Sequence, residues 1–596
     1  MEEALKKEKE APVAINEVIA RVSAALRPLI ATRRAEAVCV ALLLVLAVNL
    51  FAAISRKSIT NDEIVHIPAG YYHLVAGDFQ LNNEHPPLIK MWGALPLLFI
   101  QPDEPPAINN PQEGFMERTW GYHQRFWQAN RARFGSITFW TRAMMVPLTL
   151  ALGLLIFIYA RKLFGDTAAL FAVALYVLEP TVLAHGRVVH TDVPAALAYL
   201  LFFFALHSYL DTPTLRRALL LGLVCSIALV TKFSMIVVVP VLVVTAVALF
   251  WLAPRLGHER RTVLLHVATV TGLVLFIINA IYFFQSPPLE ASDVRWVVMK
   301  SEAHFNILMK VFGVLSQVVP SYFLFGLYNV VIHNQYGHST SLLGAHSDLG
   351  WWYYFPVAFA LKTTIPFLIL SIAALVWSLY RLVVSRERVF AFVLIPLGIY
   401  LAISLTSHIN IGIRHLLPAY PFLFIASGAL LDRLFRVGRA RRAVFLFIAL
   451  TFGWMVYEAV RSFPDYIPYT NQLAGGQPGW RYLSDSNVEW GDDMGELAWY
   501  LKARGETRVT AVLSAGWSTL TQYGVEYVDL LALPADATPE TRYVAIGASF
   551  LNGSTVPGGV KGRLTTEERT NFFARYRDRK PEAVFGDSIY LYRVKQ

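Results

Sequence analysis

The stretch AVCVALLLVLAVNLFAAI at positions 37–54 carries no charge and runs directly into Ser55-Arg56-Lys57-Ser58-Ile59-Thr60-Asn61-Asp62-Glu63. Eighteen residues, all but Asn49 apolar, wound as a helix reach about 27 Å, close to the hydrocarbon thickness of a bilayer. The run therefore reads as a membrane span, and Asp62 and Glu63 follow it at the membrane surface. Adjacent carboxylates there are costly unless solvated or paired.

Working outward, ten further runs are long enough to span, at 139–160, 167–184, 191–210, 218–231, 234–253, 263–284, 352–380, 389–406, 414–431 and 443–461. The run 218–231 is short, and 191–210 contains His207. With the N-terminus in the cytoplasm, every even-numbered connection is basic. Arg33/Arg34 precede the first span. Arg161/Lys162, Arg216/Arg217, Arg255/Arg260/Arg261, Arg381/Arg386/Arg388 and Arg433 through Arg442 follow in the loops. This is the positive-inside pattern, and an odd number of spans sends the C-terminus outside. The external loops 55–138 and 285–351 are long, and long loops tend to carry function.

Composition agrees: 55% of the 596 residues are hydrophobic and 16% are charged. The net charge of +10 lies in short clusters between apolar runs, so it reports topology rather than a nucleic-acid face. Cys39 and Cys225, the two cysteines, both sit in apolar runs and suit neither a disulfide framework nor a metal site. Residues 1–36 read as a cytoplasmic amphipathic lead-in rather than a cleaved signal, because charged residues continue past position 30. The domains expected are that lead-in, a membrane domain over 37–461, and an extracytoplasmic α/β domain over 462–596. In the last, strand-like runs at 508–513, 527–531, 543–546 and 588–594 alternate with helix-like runs at 493–503 and 566–576.

Several external residues suit glycosyl or phosphoryl chemistry. Asp62 can deprotonate an acceptor hydroxyl as it attacks an anomeric carbon. Read alone, Asp62 and Glu63 also fit a helix N-terminus, where the dipole favours carboxylates. Glu84-His85-Pro86-Pro87-Leu88-Ile89-Lys90 follows, with two prolines forcing an extended approach to a helix. Lys90 can hold a phosphate or simply snorkel to the interface. The histidines His66, His73, His185, His190, His338 and His346 also fall in external loops. Asp485-Ser486-Asn487-Val488-Glu489-Trp490-Gly491-Asp492-Asp493 gathers four carboxylates around a tryptophan. That suits calcium, a sugar face, or the acidic first turn of a helix near Asp493.

Together, Asp62-Glu63 and His85-Pro86-Pro87-Leu88-x-Lys90 in one external loop resemble the protein O-mannosyltransferases. Glu84-x-Pro86-Pro87 is similar to the Glu-Lys-Pro-Pro of the lipid A aminoarabinose transferases, with His85 in place of the lysine. Both are GT-C membrane glycosyltransferases of the glycosyltransferase family 39 kind. The resemblance continues at Arg187 and Asp192, at Thr231-Lys232, at Gly337-His338, at Gly350 through Tyr354, and at Arg414-His415-Leu416-Leu417-Pro418. It implies a helical polytopic GT-C fold of about 11 transmembrane helices with a small external α/β domain. It also implies an inverting, polyprenyl-phosphate-sugar-dependent transferase in a membrane, bacterial inner or plasma membrane, with membrane lipids as its surroundings. Asp62 would be the base and Glu63 would organise the cations. His85, Lys90, Arg187, Lys232, Arg414 and His415 would hold the donor phosphate, supported by His185 and Asp192. The acceptor would be a hydroxyl on a protein, lipid or glycan. No cofactor is needed for catalysis, and Glu84 with His338 would be a divalent metal pair, zinc or magnesium/manganese. Two other readings stay open: a polyprenyl-lipid transporter or flippase, and a non-catalytic glycan-binding membrane protein.

Overall fold

The computed structural model describes residues 33–105, 115–257, 259–301, 305–436, 441–533, 539–556 and 565–594. The lead-in at 1–32 lies outside them. The chain is a multi-pass, mostly helical integral membrane protein with a small C-terminal sheet. Among the described residues, nine helices are long and apolar enough to cross a membrane. All eleven expected runs coincide with helices, but two of those helices are shorter than a full span. Asp166–Leu178 has 13 residues and ends where Glu179 turns extended ahead of Pro180. Leu215–Thr231 has 17 residues and ends where Lys232 turns extended.

Burial ranks the helices. Ile413–Phe435 is 94% buried and Asp192–Asp211 72%, so these two form the centre of the bundle. Phe233–Arg255 and Arg260–Ile281 are 17% and 11% buried, so their outward faces are left for lipid. His207, which weakened one expected span, is accommodated by a Tyr159 hydroxyl at 3.3 Å and a stacked Phe392 ring at 3.6 Å.

At one end of the bundle, helix Asn61–Ala76 follows the first span. Thr60 and Glu63 close a reciprocal cap at its start. The short helix Leu88–Ala94 crosses it at Gly70, where a Cβ would lie 2.1 Å from the Lys90 carbonyl oxygen. Only glycine permits that approach, and it fixes the Pro-Pro turn beside the first span.

The C-terminal region forms a five-stranded sheet of β3 (Arg508–Val512), β4 (Glu526–Asp529), β5 (Tyr543–Gly547), β6 (Ala583–Phe585) and β7 (Ile589–Arg593). The hairpin β1 (Thr340–Leu342) and β2 (Ala345–Ser347) stands apart. The order in the sheet is β4-β3-β5-β7-β6, with β4, β3 and β5 parallel and β7 and β6 antiparallel. The four strands expected from sequence are present; β6 and the hairpin are three-residue strands without a readable alternation. One side of the sheet has an apolar core of its own around Leu497, Val509, Ala545 and Leu591, while Trp480, Val544, Ile546 and Tyr590 join the apolar cluster of the membrane helices.

Candidate functional site

Asp62 and Glu63 are neighbours in one helical turn, yet they enter different ionic networks. The Glu63 carboxylate is fully buried and receives two hydrogen bonds from Arg142, Nε at 2.8 Å and Nη2 at 2.6 Å. It also accepts the Thr60 amide and hydroxyl at 2.8 and 2.9 Å and the Val189 amide at 2.9 Å. Burial alone would raise this carboxyl, but Arg142 and the amides outweigh it and hold it below the usual range. With its lone pairs committed, Glu63 has nothing to offer a substrate.

Asp62 points the other way, into a second cluster. One oxygen accepts Arg414 Nη1 at 2.6 Å and the other accepts the Trp490 indole N–H at 3.3 Å. Arg414 also reaches Asp192 at 3.5 Å, and Asp192 pairs with Lys232 and with His190 Nδ1 at 2.9 Å. Burial pushes the Asp62 carboxyl up, and the Arg414 charge pulls it down further, so the group is ionised at neutral pH. Its side chain keeps 22% exposure, while those of Arg414 and Lys232 keep 7% and 8%, so the cluster is an opening rather than a sealed pair. His85 stands beside it, its ring edge-on to His66 at 5.7 Å and its Nδ1 without a hydrogen-bond partner. Burial and the nearby Lys232 charge keep His85 neutral. His415 follows Arg414 and is partly exposed, with its backbone carbonyl accepting Tyr400 at 2.9 Å.

Two expected phosphate ligands are placed elsewhere. Lys90 donates to the Asn82 backbone carbonyl at 2.5 Å, to the Asn82 side-chain oxygen at 3.2 Å and to the His85 carbonyl at 2.9 Å. Its three donors staple the Pro-Pro loop, and burial lowers its ammonium to about 7. Arg187 is wholly buried and pairs with Asp492 at 2.8 Å. One guanidinium nitrogen makes this pair, while Nε and Nη1 are buried without a hydrogen-bond partner. His185 packs edge-on against His190 and Trp490, each at 5.6 Å.

The acidic segment 485–493 is not an open carboxylate cluster. Asp492 holds Arg187, and Asp493 accepts both Lys57 and Ser588. Glu489 accepts the Ser514 amide at 2.8 Å and the Ser549 amide at 3.0 Å. Asp493 does precede the helix Met494–Lys502, but its side chain makes no capping bond. Among the described residues, one group of three metal-ligand atoms occurs, Asp465, Asp493 and Glu496, and the Lys57 ammonium sits among them. Glu84 and His338, the expected metal pair, lie outside that group of three. Glu84 feels the charges of Asp62, Lys90 and Arg414, whereas His338 lies 3.1 Å from His333 and 3.8 Å from Asp485.

This geometry gives a partly open carboxylate facing two cations at the ends of membrane helices. Residues 134–282 match the family model of dolichyl-phosphate-mannose-protein mannosyltransferases. This stretch is mannosyltransferase-like. That segment includes Arg142, Arg187, His190, Asp192 and Lys232 and stops short of Asp62 and Arg414 on either side. Solved structures with a similar trace include ArnT from Cupriavidus metallidurans bound to undecaprenyl phosphate. It is 13% identical, with 85% of this chain and 92% of that chain covered and a TM-score of 0.43. The Archaeoglobus fulgidus oligosaccharyltransferase tethered with an acceptor peptide is 11% identical, with 85% and 69% covered and a TM-score of 0.44. The S. cerevisiae protein O-mannosyltransferase Pmt1-Pmt2 complex bound to the sugar donor is 13% identical over 44% of this chain and 35% of that one, with a TM-score of 0.32. A search of curated proteins found no match.

Sequence reasoning missed Arg142, Lys57 and Trp490 as parts of this arrangement. Arg142 had a readable signal: a lone arginine inside the apolar run 139–160 must find a partner. Lys57 and Trp490 had none, since their partners are hundreds of positions away.

Proposed function

We propose that the chain transfers a monosaccharide from a polyprenyl-phosphate donor to an acceptor hydroxyl at the external membrane surface. The observation that carries the reading is the convergence of Asp62, Arg414, Asp192 and Lys232 on one opening at the ends of separate helices. A phosphate oxygen suits Lys232 and Arg414, because charge-assisted bonds to an anion are short and strong. Asp192 neutralises both cations until the donor arrives, and keeps them side by side. Asp62 then stands where a hydroxyl could be deprotonated. In a transition state resembling an oxocarbenium ion the hydroxyl proton becomes acidic late, so a carboxylate of low pKa is base enough. Attack from the face opposite the phosphate would invert the anomeric carbon. His85 and His415 line the same opening as neutral hydrogen-bonding groups. Lys90 serves the Pro-Pro loop and Arg187 the acidic segment 485–493 in this reading.

The likeness of residues 134–282 to the dolichyl-phosphate-mannose-protein mannosyltransferases supports a polyprenyl carrier of this kind. We place the opening outside and the basic loops in the cytoplasm. A transporter would need charges midway across the bilayer, whereas these gather at one end of the spans. The experiment is mass spectrometry of lipid copurifying with wild-type protein and with Lys232→Ala. Isoprenoid phosphate or its glycoside should accompany the wild type and be depleted in the variant. Equal recovery of such lipids from both, or none from either, would overturn the reading.

A further inference from the structure

The C-terminal domain reaches into the opening through one residue that the proposed reaction does not yet use. Trp490 is 3% exposed, and its ring is surrounded by site residues. Its indole N–H donates to Asp62 Oδ1 at 3.3 Å. The Arg414 guanidinium carbon lies 4.3 Å from the ring centroid, within cation–π range. The His185 ring meets it edge-on and the His190 ring at a tilt, each with centroids 5.6 Å away. Its own carbonyl accepts the Asn61 amide at 2.7 Å, so the main chain at 490 is tied to the residue before Asp62.

The strap carrying Trp490 is held on both flanks. On one side Asn487 accepts the Ile413 amide at 2.9 Å and donates to the Tyr354 hydroxyl at 2.7 Å. Lys362 donates to the Asn487 carbonyl at 2.6 Å, and Arg414 Nε donates to Ser486 Oγ at 3.0 Å. On the other side Glu489 accepts the amides of Ser514, just past β3, and Ser549, just past β5. Asp492 accepts the Ser58 amide through its carbonyl at 2.8 Å and holds Arg187 through its side chain. The strap thus pins the parallel edge of the sheet to the ends of the spans, with Trp490 at its middle.

We propose that Trp490 is a positioning residue: its indole holds Asp62 at the angle needed to take the acceptor proton and seats Arg414 for the phosphate. This rests on the transferase reading above. Without the indole, Oδ1 of Asp62 has no donor and the carboxyl is free to turn away from the acceptor, while Arg414 stays on the other oxygen. A phenylalanine could fill the volume and sit under the guanidinium, but it has no N–H. The 3.3 Å bond is long for this pair, as is common before substrate draws a site together. The charged and titratable groups facing Asp62 are Arg414, His66 and Asp192, with Glu84 and His415 near it. Trp490 is the neutral donor among them, so its loss should raise the Asp62 carboxyl and leave the others in place.

The test is transfer from a synthetic polyprenyl-phosphate sugar by full-length protein in detergent, as wild type, Trp490→Phe, Asp62→Asn and the double variant, across pH. Trp490→Phe should lower kcat about tenfold, change the donor KM little, and move the acid limb of kcat/KM to higher pH. In the Asp62→Asn background the same change should cost nothing further. The position of the acid limb does not depend on the fraction of protein that folds. Trp490→Gln, which keeps an N–H donor, should hold the limb nearer the wild-type position and stands in if the phenylalanine variant does not fold. An unmoved limb in Trp490→Phe, a limb displaced in Trp490→Gln as far as in Trp490→Phe, or an equal loss in both Asp62 backgrounds would overturn the inference while the transferase reading stands. Full transfer by Asp62→Asn would overturn the inference together with the role of Asp62 as base, and an absence of transfer by the wild type would overturn the transferase reading itself.

Discussion

Replacing Glu63 by glutamine should damage folding and spare chemistry. Arg142 makes four hydrogen bonds: to both Glu63 oxygens, to the Lys57 carbonyl at 2.8 Å and to the Ser58 carbonyl at 2.5 Å. Both side chains of the pair are 0% exposed. Glutamine keeps the shape but removes the charge, and it points an amide N–H toward a guanidinium that only donates. Breaking a buried pair by removing one partner costs about 3–5 kcal/mol, because the remaining charge keeps its full desolvation penalty. Two lost charge-assisted bonds at about 1.5–3 kcal/mol each reach a similar total. The assay is thermal unfolding in detergent alongside transfer per folded molecule. The expected result is a large loss of stability with transfer by the folded fraction close to normal. A Glu63→Gln protein as stable as wild type but unable to transfer would refute the division of labour between the two carboxylates.

Other outcomes follow from the same contacts. Lys232→Ala should weaken donor binding by roughly tenfold or more, from a lost bond of about 1.5–3 kcal/mol to a charged group. Arg187→Ala should instead lower stability by about 3–5 kcal/mol through an unpaired Asp492 and leave donor affinity alone, with lipid-binding and melting curves measured side by side. Burial pushes the Glu489 carboxyl up to about 7 against the Ser514 and Ser549 amides, which pull it down. The folded chain then keeps a proton that an unfolded glutamate releases near about pH 4.3, so stability from this group falls as pH rises from about 4.3 to about 7 and is level above. Glu489→Gln should remove that part of the slope in melting temperature against pH, and an identical slope would contradict the assignment. Reporters fused after Gly165 should read cytoplasmic and those after Gln596 external; a cytoplasmic C-terminus would put the opening on the wrong side for the proposed donor.

The membrane architecture was legible because its signal is local. A span such as 37–54 announces itself by length and lack of charge, and all eleven expected runs became helices. What lacked a local signal was span length at breaks: Glu179 and Lys232 turn extended and shorten the helices before them. The site was legible in part. Asp62, Asp192, Lys232 and Arg414 converge as residue type and loop side suggested. Lys90 and Arg187 had the right charge, but charge alone does not say whether a side chain faces a cavity or a carbonyl. Their partners, the Asn82 carbonyl and Asp492, are fixed by tertiary packing that no spacing rule reports. Trp490 illustrates the same limit, since its contact with Asp62 joins positions 428 residues apart. The acidic run around it looked like a ligand site because its cations, Lys57 and Arg187, are so distant in sequence.

The central claim is that Asp62 is the base, and the most direct measurement is transfer rate and donor affinity of Asp62→Asn side by side. Asparagine preserves the side chain's size and can still accept the Trp490 N–H, but it cannot take a proton. Loss of a general base costs roughly 10²–10⁴-fold in rate, and that fall is expected here with donor binding retained, since the change removes a negative charge beside the phosphate. Transfer by Asp62→Asn at close to the wild-type rate would contradict the account.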